Sequence, residues 1–354
     1  MKVDRKSDNA GRNYRALVLA CTVLTFIVVV VGAYVRLSGA GLGCPDWPGC
    51  YGKLTPANAE IHIRRAVEDQ GGTHGPVSMP KAWKEMGHRY LAGVLGLLIL
   101  AIAAIAWLRR ASLGQSPWLA GVIVLVVGVQ ATLGKWTVTM LLKPAIVTAH
   151  LIGGMTTLAL LAWLAVRQWP LAGAADASRL KALHGFALVS MGVLCIQIVL
   201  GGWVSTNYAA LACPDLPLCR GAFVPPMDFG NAFHVVRELG MTQQGALLSG
   251  DALVAIHWTH RMFAMLVAAV LATLAVRLMR TTGARPLGIA LLAGLAIQFM
   301  LGLAIVALGL PLALAAAHNA GAALLLVLLV VINYVTFHGL ALKHGAVPLS
   351  DPIT

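Results

Sequence analysis

The sequence predicts an all-α integral membrane protein with eight transmembrane helices, arranged as two pseudo-symmetric four-helix bundles from a parallel tandem duplication. Both termini are expected in the cytoplasm. Two observations predict this. Residues 16–35, 90–108, 111–134, 144–166, 182–214 and 286–342 contain no Asp, Glu, Lys or Arg, and about 20 apolar residues of helix cross a hydrocarbon core. In addition, the stretch CPDWPGC, Cys44 to Cys50, returns in the second half of the chain as CPDLPLC, Cys213 to Cys219.

The first span is read as 16–36. Its apolar run is too long for a signal peptide, and Asp4 and Asp8 precede it, which also argues against a mitochondrial transit peptide. It is therefore a retained helix, and a bacterial inner membrane is the simplest home. Spans at 88–108, 118–140, 145–166 and 183–206 follow. The sixth, 252–276, must carry Arg261 inside it, because the uncharged stretch between Arg261 and Arg277 is too short to cross alone. The last run, 286–342, is too long for one crossing and must turn back once. Gly309-Leu310-Pro311 is the natural break, because Pro cannot continue a helix and Gly accepts turn geometry. Spans 286–308 and 312–336 result. The halves are then 1–172, with outer loop 37–84, and 173–354, with outer loop 207–251.

A net charge of +13 on a soluble chain would suggest nucleic acid. Here the basic residues gather at helix ends and report topology, so nucleic acid is excluded as a partner and the lipid bilayer takes its place. With the N-terminus inside, 14 Lys and Arg fall on the cytoplasmic side, Lys2 and Lys343 among them. The other side holds 10, beside eight Asp and Glu. Both CPDxPxC units then lie in the long periplasmic loops, where disulfides persist. A structural disulfide in each, a redox-active pair, or a shared four-cysteine zinc site are the readings open for Cys44, Cys50, Cys213 and Cys219. Cys21 and Cys195 lie within helices and read as small apolar filler.

The repeat extends into the helices. Gly32-Ala-Tyr-Val matches Gly201-Gly-Trp-Val, and Gln130-Ala-Thr-Leu-Gly matches Gln298-Phe-Met-Leu-Gly, with Gln197-Ile-Val-Leu-Gly of the same form. The histidines follow it too. Glu85-Met-Gly-His88-Arg89 opens span two and His257-Trp-Thr-His260-Arg261 opens span six. His150 opens span four, and His318 opens span eight at the matching place in the repeat. Even-numbered spans all run inward, so these four histidines share one depth near the outer surface. Imidazole ligates iron well, and bis-histidine coordination in a four-helix bundle holds a heme, which suggests pairing His88 with His150 and His260 with His318. Copper or zinc is disfavoured, since the layer lacks carboxylate and thiolate ligands.

Arg89 and Arg261 each follow a candidate ligand, about 100° around the helix, where they could reach a heme propionate or snorkel to the interface. Glu85 lies one turn before His88. It is either a carboxylate favoured by the helix dipole in a first turn or a proton acceptor beside one heme alone, because the repeat puts His257 in its place. His257 could also compete with His260 as the ligand. His62, His74, His234, His338 and His344 read as ordinary polar residues. The absence of paired Asp residues in the spans disfavours prenyl transfer to heme.

EMGHR in span two, THR in span six, single histidines in spans four and eight, and the twin outer-loop cysteine pairs together resemble the heme A synthase family, over roughly residues 14–338. That resemblance implies oxidation of the C8 methyl group of heme O to the formyl group of heme A in two steps. It implies a substrate heme at His88 and His150, a retained heme b cofactor on His260 and His318, catalysis by Glu85, and a matching first-loop pair in Cys44 and Cys50. Heme O synthase and cytochrome oxidase assembly factors are the implied partners, with an unidentified electron acceptor. A di-heme b-type electron carrier, or a thiol-redox or transport protein, are the alternatives. The parallel sense of the duplication speaks against transport, where inverted repeats are commoner.

Overall fold

A computed structural model describes residues 5–113, 115–169 and 171–342. Lys2 and Lys343 lie outside them. The elements in order are α1 (Arg5–Leu37), α2 (Glu60–Asp69), α3 (Met79–Leu108), α4 (Arg110–Leu113), α5 (Trp118–Thr139), α6 (Pro144–Val166), β1 (Leu171–Gly173), α7 (Ala177–Ala182), α8 (His184–Thr206), α9 (Phe229–Ala232), α10 (Gly250–Met279), α11 (Arg285–Ala307), α12 (Leu312–His338) and β2 (Leu340–Leu342). Eight helices among the described residues are long and apolar enough to cross a membrane. The chain is a multi-pass membrane protein.

Several helices extend beyond the uncharged runs. Ser78 caps α3 by accepting the Lys81 N–H at 3.4 Å, and Pro80 sits in the first turn, where its missing N–H costs nothing. Ser249 caps α10 in the same way through the Ala252 N–H at 3.1 Å. These caps start both helices within the polar loops, so Glu85 is the seventh residue of α3. A helix dipole fades beyond the first turn, and the expectation that Glu85 occupies a first turn is corrected. The break in the last run falls at the predicted place. Gly309 and Leu310 have φ of 69° and 65°, and their counterparts between α5 and α6, Leu141 and Leu142, have 50° and 58°.

Helices α1, α3, α5 and α6 contact one another in a ring, each touching the next, and so do α8, α10, α11 and α12. Val18, Ile99, Ile123 and Leu161 fill the first ring. Leu194, Leu271, Leu291 and Leu329 fill the second, whose core also takes Leu158 from α6. The rings meet where α6 touches α8 and α12, and where α12 touches α1. At the end of that seam nearest the long loops Thr148 and Thr206 share a hydrogen bond of 3.2 Å. Arg36 donates to the Ser205 carbonyl at 3.0 Å and lies 4.1 Å over the Tyr208 ring. Lys143 pairs with Glu238 at 2.6 Å.

One feature departs from an all-helical chain. β1 and β2 form a two-stranded antiparallel ribbon, Ala172 opposite Ala341, which ties the connection between the halves to the end of α12. Both segments have just left a helix and must find partners for their backbone N–H and C=O groups, which they give each other. The apolar pattern of such short pieces carries no strand signal.

Candidate functional site

Each of the four singled-out histidines lies against a glycine on the preceding crossing. His88 on α3 faces Gly32 on α1, His150 on α6 faces Gly134 on α5, His260 on α10 faces Gly201 on α8, and His318 on α12 faces Gly302 on α11. A Cβ built on those glycines would stand 2.9, 3.2, 3.1 and 3.2 Å from the imidazole Cε1. Carbon atoms in ordinary contact stay about 3.5–4.0 Å apart, so any side chain there displaces the ring. In a lipid phase helices are drawn together by close packing rather than by the hydrophobic effect, and small residues permit it. These glycines are functional residues that were not singled out from the sequence. Their signal was present, because all four lie inside the repeat matches at fixed offsets.

His88 is within electrostatic reach of His150, and His260 of His318. Nδ1 of His88, of His150 and of His318 is buried without a hydrogen bond, and the Gln130 and Gln298 backbone approaches the His150 and His318 rings. Six of the ten buried side-chain polar atoms without a hydrogen bond, among the described residues, belong to these three histidines and to Gln130, Gln197 and Gln298. Unpaired polar atoms at membrane depth are costly unless a bound group reorders the rings and amides around it. No group of three or more His, Cys, Asp or Glu is placed to hold a bare metal ion among the described residues. Two histidine ligands per half suit a metal that brings its own equatorial donors, and a porphyrin iron is such a metal. The residues present therefore fit a heme in each half.

The two long loops are built alike where they meet the histidine-bearing helices. Cys44 and Cys50 form a disulfide, as do Cys213 and Cys219, which removes the zinc-site reading. The Asp46 carboxylate accepts the Tyr51 and Gly52 N–H groups at 2.6 and 2.7 Å. The Asp215 carboxylate accepts those of Arg220 and Gly221 at 2.7 and 2.8 Å. The Gly221 N–H, ahead of the other contacts, holds Asp215 below the usual carboxylate range. Arg89 donates to the carbonyls of Asp46 at 2.8 Å and Gly49 at 2.5 Å. Arg261 donates to the corresponding carbonyls, Asp215 at 2.8 Å and Leu218 at 3.2 Å. The two arginines thus clamp the cysteine loops onto the histidine-bearing helices.

The halves differ beneath the clamp. Glu85 is 4% exposed; its Oε2 accepts the Cys44 N–H at 2.9 Å and its Oε1 pairs with Arg89 at 2.5 Å. At the matching place His257, also 4% exposed, accepts the Cys213 N–H on Nδ1 at 3.2 Å. His257 is turned to the loop, which leaves His260 facing Gly201 and the bundle. Arg237 carries weight that its sequence position did not reveal. Buried in the second loop, it donates to Asn207 Oδ1 at 2.5 Å and to the His234 carbonyl at 3.1 Å, and burial lowers its pKa.

Comparison with known proteins agrees with this geometry. The family model COX15-CtaA, described as cytochrome oxidase assembly protein, matches residues 15–330. Heme A synthase from Shewanella oneidensis is 42% identical over 324 residues, covering 89% of this chain and 94% of the relative. Heme A synthase from Caulobacter sp. strain K31 is 27% identical, over 86% of this chain and 90% of its own. That from Methylobacterium sp. strain 4-46 is 29% identical, over 91% and 92%. With such coverage at both ends, and the histidine layer inside the matched region, the chain belongs to the heme A synthase family of cytochrome oxidase assembly proteins.

Proposed function

We propose that the chain is a heme A synthase that oxidises the C8 methyl group of heme O to the formyl group of heme A in two steps. The observation that carries the reading is the layer of four histidines, each against a glycine and paired within its own half. His88 and His150 would hold the substrate heme, and His260 and His318 a heme b. The heme b would relay the electrons, one at a time, from the substrate to the external acceptor that the family reading implies. The chain is read as two pseudo-symmetric bundles, 1–172 and 173–354, one for each heme. Its termini lie in the cytoplasm and its long loops on the periplasmic side of a bacterial inner membrane, as the charge bias and the two disulfides favour.

The chain's own residues have separable tasks. Glu85 accepts protons released as the methyl group is oxidised. Its two oxygens hold one hydrogen bond each to Arg89 and Cys44, which fixes the carboxylate while leaving a lone pair on each oxygen. His257 fills the same structural post in the other half without a carboxylate, so that half has no equivalent proton acceptor. Arg89 and Arg261, oriented by the loop carbonyls, would face the propionates at the outer rim. The apolar helix walls keep bulk water from the histidine layer, and the loops close it from outside. Heme O synthase would deliver the substrate, and oxidase assembly factors would receive the product.

Extraction of the pigment from purified protein and mass identification of its hemes test the proposal. Heme B together with heme O, heme A or an intermediate between them is expected, and protein free of heme would overturn it. A di-heme electron carrier remains the second reading, since the contacts of Glu85 give that residue a structural post. Glu85→Gln separates the two, because a carrier would keep all of its activity.

A further inference from the structure

Three of the four histidine seats share a residue type that the fourth lacks. Gly134, Gly201 and Gly302 are each preceded, one helical turn earlier, by Gln130, Gln197 and Gln298, which places an amide on the same helix face. In α1 the residue one turn before Gly32 is Val28, the repeat equivalent of Gln197. Val28 is buried in the apolar core of its ring. The Gln197 amide, by contrast, lies 3.2 Å from Nδ1 of His260 and donates to the His260 carbonyl at 3.2 Å. Its Oε1 is buried without a partner, and Nδ1 of His88 has no partner either.

We infer that Gln197 is a positioning residue that locks His260 as a permanent iron ligand, and that Val28 leaves His88 unlocked so that the heme it holds can depart. This rests on the reading of these histidines as heme ligands. An imidazole that gives one nitrogen to a metal must place its other N–H on an acceptor, which fixes the ring and strengthens the donor. A glutamine amide can present Oε1 to Nδ1–H by turning end for end, since its two ends are nearly the same size. Valine presents nothing, and an apolar core gives a substitute water too few partners to stay. The partner ligands add to the difference. Gln130 and Gln298 both lie against a glycine, Gly153 and Gly321, where a Cβ would collide with their amides, but only Gln298 donates to the carbonyl of its histidine, His318, at 3.0 Å, while the Gln130 amide nitrogen is buried without a partner. Val28 in place of a glutamine is the change of residue type that sets the His88 seat apart from the other three.

The test uses the full-length protein in detergent. The rate of heme transfer to excess apomyoglobin is followed by absorption, and the midpoint potential of the retained heme by redox titration. Gln197→Val should release heme B roughly 10- to 100-fold faster and raise its midpoint potential. Gln197→Glu, which keeps an acceptor, should restore both. Val28→Gln should slow release from the N-terminal half. Wild-type rate and potential in Gln197→Val would overturn the inference, even if Val28→Gln fails to fold. A His260→Ala protein that keeps heme B with an unchanged spectrum would instead overturn the ligand assignment beneath it.

Discussion

The two halves carry the same loop, clamp and histidine seats, yet a carboxylate stands at residue 85 where an imidazole stands at 257. Each accepts the N–H of the first cysteine in its loop, at 2.9 and 3.2 Å. The structural demand on that position is therefore met equally well by either side chain. What the imidazole does not supply is a negative charge against the clamped arginine. Either acceptor serves the scaffold at that position, and the carboxylate of Glu85 is where the proposed function places its proton acceptor.

The strongest contrast between the halves is expected at the iron. His260→Ala or His318→Ala should strip the retained heme and all activity, whereas His88→Ala should keep heme B, as absorption spectra of purified protein would show. Next comes the carboxylate. Glu85→Gln preserves the acceptor and should lower heme A formation by roughly 10²-fold or more, while His257→Gln, the mirror change, should leave it within a few-fold. Pigment analysis of cells carrying each variant decides, and equal losses would end the asymmetry argued here.

Changes outside the ligands and the carboxylate should act more weakly. Gly201→Ala and Gly32→Ala push a methyl group into an imidazole, an overpacking worth about 1–3 kcal/mol. Heme content should fall in the half that carries the change. Removing either disulfide by paired Cys→Ser should cost about 2 kcal/mol for so short a loop, read as a lowered Tm. Only the Cys44–Cys50 change should also reduce turnover, because only that loop touches Glu85. The least effect is expected from Asp215→Asn, read as faster proteolysis of the second loop at neutral pH. The Asp215 carboxylate has a lowered pKa, so its contribution is present above the ordinary carboxylate range and disappears as pH falls through the lowered value. The variant and the parent should converge in acid.

The helices and the turn at Gly309 were legible because uncharged length and a Gly-Leu-Pro break are properties of the chain alone. The glycine seats were visible as letters but not as contacts, since a seat exists only once two helices touch. Arg89 and Arg261 looked placed to reach a propionate, and the fold adds what spacing alone could not show, that loop carbonyls distant in sequence hold and orient their N–H groups. Caps at Ser78 and Ser249 lengthened two helices beyond the apolar runs because hydrogen bonding, not hydropathy, sets a helix start. The β1–β2 ribbon joins segments far apart in the sequence, and nothing local announces it.

Arg89 and His88 are consecutive residues on one helical turn, and the same helix lends Glu85 to the cysteine loop. Lifting that loop away means breaking the carbonyl contacts of Arg89 and the Cys44 bond together, or else dragging the upper end of the helix along. The cysteine loop, the carboxylate and the imidazole-bearing end of the helix are therefore mechanically one piece.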